Sequence, residues 1–522
     1  MKRFIFLIFG LLLVISSCKQ PEKTPEITSE KTQIKTPFKP NIIIIYADDL
    51  GYGDLSAYGG IDLNTPNIDK LAEGGVRFTN GYATSATCTP SRYAILTGRY
   101  PWRNKNAKIL PGTAPLLIDT TQMTIPKMLK SKGYETGIVG KWHLGLGTGQ
   151  VNWNAQISPG PNEVGFDYSY IMAATQDRVP TVFIKNGHVV NLNPDDPIEV
   201  DYDHNFDHQP TGKDNPELLK LKWHHGHNNT IINGIPRIGF MKGGHTARWT
   251  DETMSDTFLM QTEDFIKREK DKPFFLYYAL QQPHVPRTPS PRFVGKSGMG
   301  PRGDVILEAD WNVGQILKTL EDEGILENTL IIFSSDNGPV LNDGYYDDAV
   351  EKLGDHKPGG PLRGGKYSLF EAGTRVPFLT YWKGKIQPKT SDALVCQMDL
   401  LNSLAHLVGS NDEGPDSQDL LDVFLGESDE GRSELVLEAT TRTALRKGQW
   451  VMIPPYKGSP LNKQVNIETG NSANFQLYNL NDDIGQQKNL AETYPDTLNV
   501  MLKSFEKIRG KNYSNVEKLE LK

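Results

Sequence analysis

Four apolar runs, each ending abruptly in charged or amide side chains, constrain this chain more than any other feature. Residues 41–46 read Asn-Ile-Ile-Ile-Ile-Tyr and stop at Asp48-Asp49. Residues 134–139 lead into Lys141-Trp142-His143, residues 273–280 into Gln281-Gln282-Pro283-His284, and residues 330–334 into Ser335-Asp336-Asn337-Gly338. A continuous β-branched run without alternation suits a strand buried on both faces of a parallel sheet. In an open α/β sheet, ligands bind outside the carboxyl ends of the strands, so the four polar groups are expected along one rim.

The intervening segments read as helices. Thr65-Pro66 offers an N-cap and a first helical residue before Ile68, Leu71 and Ala72, with Gly74 and Gly75 closing the turn. Residues 124–132 end similarly at Gly133, and residues 308–321 place Val313, Ile316, Leu317 and Leu320 on one face. This alternation predicts an α/β fold with a large, mostly parallel or mixed central sheet flanked by helices. Residues 154–254, rich in Gly, Pro, Asn, Asp and His, are expected as loops over the sheet. Beyond residue 430 the texture changes. Short strands at 450–453 and 475–480 and a helix over 497–508 predict a smaller C-terminal α+β subdomain with a short antiparallel sheet.

At the other end, Lys2-Arg3, an apolar run over 4–15 and Ser16-Ser17-Cys18 match the charged, apolar and small-residue regions of a secretory signal. Ile15-Ser16-Ser17-Cys18 also resembles a bacterial lipobox, which implies lipid on Cys18 and an exported chain anchored to a bacterial membrane on its periplasmic or surface face. A plain signal peptide with an incidental cysteine is the alternative. Residues 19–40, rich in Pro, Thr, Lys and Glu, read as a solvated tether. The expected organisation is therefore a signal over 1–18, a tether over 19–40, a catalytic domain over 41–430 and the subdomain over 431–522.

Asp48, Asp49, Asp336 and Asn337 are hard oxygen donors from two strand ends, a set suited to Ca²⁺ or Mg²⁺ rather than zinc. With three cysteines in 522 residues no disulfide framework holds the fold, so Cys88 needs its own explanation. It opens Cys88-Thr89-Pro90-Ser91-Arg92, where Pro90 suits a helix's first turn and places Cys88 at an anion-favouring N-terminus. The balance of 56 basic against 63 acidic side chains, net −7, disfavours a nucleic-acid partner.

Cys88-Thr-Pro-Ser-Arg92 with Leu96-Thr-Gly-Arg99 resembles the signature of the type I sulfatases, the formylglycine-dependent branch of the alkaline phosphatase superfamily. Ala47-Asp-Asp-Leu-Gly51, Gly140-Lys-Trp-His-Leu-Gly145, Gln282-Pro-His284, Ser335-Asp-Asn-Gly338 and the segment from Gly364 to Arg375 are similar to further family landmarks. The resemblance implies that a formylglycine-generating or sulfatase-maturing enzyme oxidises Cys88 to formylglycine. It implies one Ca²⁺ on Asp48, Asp49, Asp336 and Asn337, also touching residue 88. It further implies positive charge around the sulfate from Arg92, Lys141 and Lys366, with His284 as leaving-group acid and His143 as the base that expels sulfate from the covalent sulfo-enzyme.

The implied activity is hydrolysis of a sulfated oligosaccharide or polysaccharide. Thr175-Gln-Asp177-Arg178-Val-Pro180 resembles a segment of carbohydrate sulfatases acting on galactose or N-acetylgalactosamine. Asp177 and Arg178 are accordingly expected to bind substrate beside Lys141, His284 and Lys366, in exo-type removal of sulfate from O6 or O4. A phosphomonoester or phosphonate hydrolase of the same superfamily is the nearest alternative, and a non-catalytic glycan-binding surface lipoprotein is another.

Overall fold

The computed structural model describes Met1 and residues 39–513. The signal, Cys18 and residues 19–38 of the tether lie outside the described residues. Among these, no helix is long and apolar enough to cross a membrane.

The four apolar runs form adjacent strands. These are β1 (Asn41–Ala47), β3 (Glu135–Lys141), β7 (Phe274–Ala279) and β8 (Thr329–Ser335). With β2 (Val76–Tyr82), β4 (Tyr168–Met172), β5 (Phe183–Lys185), β6 (His188–Val189), β9 (Phe378–Tyr381) and β10 (Lys389–Cys396), they build a 10-stranded sheet ordered β10-β2-β9-β8-β1-β7-β3-β4-β5-β6. The run β8-β1-β7-β3-β4 is parallel, whereas β9 runs antiparallel to both of its neighbours. The sheet is therefore mixed. Successive β1 side chains enter opposite layers, Ile42, Ile44 and Tyr46 on one face and Ile43, Ile45 and Ala47 on the other.

Register makes the rim. Ala47 pairs with Ser335, Tyr46 with Ala279, and Ala279 with Gly140, so the next residues of four strands emerge together. Gly140 has φ +111, and a Cβ there would lie 1.9 Å from the Ala279 carbonyl oxygen. Only glycine permits that close approach.

Helices α1 (Pro66–Gly74), α2 (Cys88–Thr97), α3 (Ile125–Ser131), α4 (Met254–Glu269) and α5 (Gly300–Asp322) flank the sheet. Thr124 caps α3 by accepting from Lys127 N, as expected. Thr65 does not cap α1 with its side chain; its hydroxyl instead meets Ser56 and Asp69. Helix α5 starts eight residues before its predicted start at 308, because Pro301 sits at the first turn, where a missing N–H costs nothing. The 154–254 segment is more ordered than a set of loops, since β4 to β6 extend the main sheet.

The C-terminal part contains an antiparallel sheet of β11 (Glu434–Ala439), β12 (Arg442–Lys447), β13 (Trp450–Ile453) and β14 (Gln476–Asn479). The helix Pro495–Arg509 packs on it through Met501 and Phe505. This sheet reaches the segment preceding α2: Ala86 N donates to Glu438 O at 2.8 Å, and Glu438 N donates to Thr84 O at 3.0 Å.

Candidate active site

The strand ends converge on a buried cluster of opposite charges. Both carboxylate oxygens of Asp48 accept from Lys141 Nζ at 2.7 Å. Asp336 Oδ2 accepts from Arg92 Nε at 3.0 Å and Nη2 at 2.8 Å, while its Oδ1 accepts from Asp49 N at 3.2 Å. Asp49 accepts from Asn337 Nδ2 at 2.7 Å and from Lys366 Nζ at 2.8 Å. Lys366 also donates to Asp343 Oδ2 at 2.9 Å. Burial would raise the Asp336 carboxyl, but Arg92 and Lys141 overcome it and hold the group below its ordinary value. Burial opposes the charge on Lys366, yet Asp343 and Asp49 keep its ammonium well above the usual lysine range.

Two observations show that this cluster fits a cation. Asn337 Oδ1 is buried with no hydrogen-bond partner, an orphaned acceptor of the kind a hard ion satisfies. Ligand atoms of Asp48, Asp49 and His284 all lie within 4.8 Å of one another. Asp48, Asp49, Asp336 and Asp343 outnumber the cations they face, Arg92, Lys141 and Lys366, and burial raises the Asp48 carboxyl well above its ordinary value despite Lys141. A divalent ion would offset the cost of burying that carboxylate.

Cys88 opens α2, all of whose residues are buried, and Ser91 braces the turn by donating to Ser85 O at 2.9 Å. Cys88 Sγ lies 3.3 Å from His143 Nδ1, and His143 Nε2 is 2.9 Å from Leu110 O. A carbonyl can only accept, so Nε2 carries the proton and Nδ1 presents its lone pair to residue 88. Burial, reinforced by Lys141, pushes His143 well below its ordinary value and keeps the ring neutral. Burial raises the Cys88 thiol. An unmodified thiol there is a poor nucleophile because the thiolate is the reactive form. Asp49, His143 and Tyr367 adopt φ of 64°, 52° and 73°, three non-glycine residues in the left-handed region around one site.

Above Cys88 lies a small cavity of about 80 Å³. Of the five residues expected to bind substrate, His284, Lys366, Asp177 and Arg178 line it. Arg92 and Lys141, expected around the sulfate oxygens, do not line it and instead sit against the carboxylates of Asp336 and Asp48. Arg178 Nη1 reaches both Asp177 oxygens at 3.1 and 3.2 Å, and Asp177 Oδ2 also lies 2.8 Å from His227 Nε2. His284 Nδ1 is 2.8 Å from Val285 O, which directs the free Nε2 toward Asp49 Oδ2 at 3.8 Å.

Sequence reasoning missed Asp343, His227, Tyr367 and the Leu110 carbonyl. Asp343 stands seven residues beyond Asp336 and His227 lies in His224-His225-Gly226-His227, a histidine-dense stretch that was the only local signal. A backbone acceptor such as Leu110 O leaves no trace in side-chain chemistry.

A buried cysteine at a helix N-terminus beside a carboxylate-rich cluster that fits a cation, on the rim of a mixed α/β sheet, suits a hydrolase of anionic esters on an alkaline phosphatase-like fold. The chain belongs to the sulfatase family, whose model, described as Sulfatase, matches residues 40–410, and it is a sulfuric ester hydrolase. It is 48% identical over 512 residues to an N-acetylgalactosamine-6-O-sulfatase of Bacteroides thetaiotaomicron, covering 97% of this chain and 99% of that protein. Human arylsulfatase A is 34% identical over 372 residues, 71% of this chain and 64% of its own length. A solved chain described under the metabolism of multiple glycosaminoglycans by Bacteroides thetaiotaomicron is 50% identical, with a TM-score of 0.89 over 91% of this chain and 100% of that one. A sulfatase from Pseudoalteromonas sp. is 25% identical, with a TM-score of 0.67 over 93% of each chain.

Proposed function

We propose that this enzyme removes the 6-O-sulfate from terminal galacto-configured sugars, N-acetylgalactosamine foremost, through formylglycine at position 88 and one Ca²⁺. The observation that carries the reading is a single cavity in which Cys88 meets His284, Lys366 and the Asp177–Arg178–His227 group. The 48% identical relative named as an N-acetylgalactosamine-6-O-sulfatase supports the choice of sugar and position.

Asp48, Asp49, Asp336 and Asn337 would hold the ion, which supplies Lewis-acid charge for the sulfate oxygens. Formylglycine, as its hydrated aldehyde, supplies a hydroxyl nucleophile and a second hydroxyl whose deprotonation releases sulfate. His143 Nδ1, fixed by the Leu110 carbonyl, takes that proton. Lys366 holds charge at the cavity wall, and His284 Nε2 stands beside it to pass a proton to the departing alcohol. Burial and then Lys366 lower His284 to about 4, so the ring is neutral until an anionic ester raises its basicity. Arg92 and Lys141 fix the carboxylates of Asp336 and Asp48.

The sulfatase family model and the sulfatases among the relatives support sulfate over phosphate. Asp177 accepts and Arg178 donates, so together they can hold an axial hydroxyl, and an epimer lacking it leaves buried polar groups unpaired. Maturation by a formylglycine-generating enzyme, export, and anchoring through lipid on Cys18 belong to the same reading. A Cys18→Ala chain is then expected to leave the membrane fraction, and unchanged fractionation would exclude the anchor.

The experiment that tests the function is a desulfation screen over defined 6-sulfated and 4-sulfated monosaccharides of galacto and gluco configuration. Preference for the galacto 6-sulfate, lost in Asp177→Ala, is expected. Preference for gluco substrates, or undiminished selectivity in Asp177→Ala, would refute it.

A further inference from the structure

A second cleft adjoins the sulfate cavity, sharing Tyr367 and Gln464 with it. Its walls come from the C-terminal sheet and the short hairpin in which Leu461–Asn462 pairs with Ile467–Glu468. Arg442, the first residue of β12, lines it in an unusual state. Nε donates to Ala439 O at 3.3 Å, and the two Nη atoms donate to Thr440 Oγ1 and Asn471 Oδ1. All three acceptors are neutral, and no carboxylate pairs with Arg442 among the described residues. A half-buried guanidinium without a counter-ion is costly, and burial accordingly lowers its pKa. Lys463, exposed at the hairpin tip, adds a second positive charge to the same cleft.

The backbone beside Arg442 is strained. Thr440 and Thr441, which join β11 to β12, have φ of 48° and 74°. Two-residue hairpin turns of this hand favour Asn-Gly, and a β-branched residue at positive φ is a genuine outlier that persists at ligand clamps. Thr440 itself lines the cleft.

A further cleft, sharing Val465 with the sulfate cavity, is lined by Asp347, Asp348 and Glu351 and, among the described residues, by no Lys or Arg; Arg287 pairs with Asp347 and Lys352 with Asp348, so it offers an anion no free cation.

Resting on the galacto-sulfatase reading above, we propose that the Arg442 cleft is a second glycan subsite for an anionic group on the neighbouring sugar. That group is a uronate carboxylate or a second sulfate ester, and the sugar chain leaves the sulfate cavity over the C-terminal sheet rather than into the cleft that lacks Lys and Arg. Arg442 and Lys463 are its specificity determinants, while the chemistry stays at residue 88.

Three disaccharides test this. N-acetylgalactosamine 6-sulfate is joined to a uronate, to the same uronate with its carboxyl reduced, and to a neutral sugar bearing its own sulfate. Binding is measured by calorimetry on the Cys88→Ala chain and sulfate release on the mature enzyme, so loss of turnover, which would refute the galacto-sulfatase reading, is separate from loss of the subsite. The native sequence at these two positions is expected to bind at least one anionic disaccharide roughly tenfold tighter than the reduced one, a margin typical of one charge-assisted contact, and to lose that margin in high salt. Arg442→Gln should erase the margin and Arg442→Lys should retain part of it. Lys463→Ala, at an exposed position, should reduce it even if Arg442→Gln fails to fold. Equal binding of all three disaccharides, or a margin that survives Lys463→Ala and every folded Arg442 variant, would overturn the proposal.

Discussion

Asn337 separates the metal account from a purely structural one more cleanly than any carboxylate does. Its Nδ2 donates to Asp49 and to Gly338 O while its Oδ1 has no partner, so Asn337→Ala should weaken Ca²⁺ binding by calorimetry tenfold or more, at a cost of about 1–3 kcal/mol in metal-free stability. Asp336→Ala is a poorer probe. It strips the two hydrogen bonds that satisfy the buried Arg92 guanidinium, and removing one partner of such a pair costs about 3–5 kcal/mol of fold stability. His143→Ala removes the lone pair facing residue 88 and should lower kcat by about 10²- to 10⁴-fold in stopped-flow assays, with KM changed far less. Asp48, Asp49, Asp336, Asn337, Cys88, His143, His284 and Lys366 were all legible because each follows a strand end or sits in a dense motif. Asp343 and His227 were not, because each acts through a partner distant in sequence, Lys366 and Asp177 respectively.

Two loops carry the leaving-group side of the cavity, and Arg287 ties them. Its buried guanidinium donates to Pro283 O at 3.0 Å, Val340 O at 2.9 Å, and both Leu341 O and Asp347 Oδ2 at 2.8 Å, joining the His284 loop to the loop bearing Asp343. Arg287→Met should leave Asp347 unpaired and lower stability by about 3 kcal/mol in urea titration. Helix α5 holds the same loop from below, since Glu308 accepts from Gln282 Nε2 and Ser290 N, both at 3.2 Å. Burial raises Glu308 to about 7 against an ordinary value of 4.5, even though those donors lower it. The folded state therefore keeps a proton that the unfolded chain gives up near 4.5. This penalty is absent below about 4.5, grows as pH rises through 7, and is then constant. Glu308→Gln should thus be nearly neutral at pH 4 and stabilising at pH 8, by roughly 3 kcal/mol at most; equal effects at both pH values would contradict the assignment. The central strands were legible because their runs are uninterrupted and β-branched. Strand β4 was not, because Tyr168-Ser-Tyr-Ile-Met172 is short and its place is set by pairing with β3. Helix α5 was truncated in the sequence reading because Gly300 and Pro301 look like a break when they form a start.

At the scale of the molecule, the sheet's register collects charges from distant parts of the chain, and this made the site readable before the fold was known. Four strand ends predicted the polar rim, whereas Cys88, Lys366, Asp177 and Arg178 came from motifs that resemble a known family. What composition could not supply was the local charge of the clefts beside the cavity, Arg442 and Lys463 in one and no Lys or Arg in the other, because the net charge of −7 averages over the whole chain. Removal of the ion from the mature enzyme with a chelator should abolish turnover and lower Tm, since a ligand bound only by the folded state stabilises it. The central claim, that this fold hydrolyses sulfate esters through a modified residue 88, is tested most directly by peptide mass spectrometry across Cys88-Thr-Pro-Ser-Arg92 in preparations of graded specific activity. The fraction of chains showing thiol-to-aldehyde conversion is expected to rise in proportion to the rate of sulfate release. Full activity in preparations whose Cys88 is entirely unmodified would contradict the account.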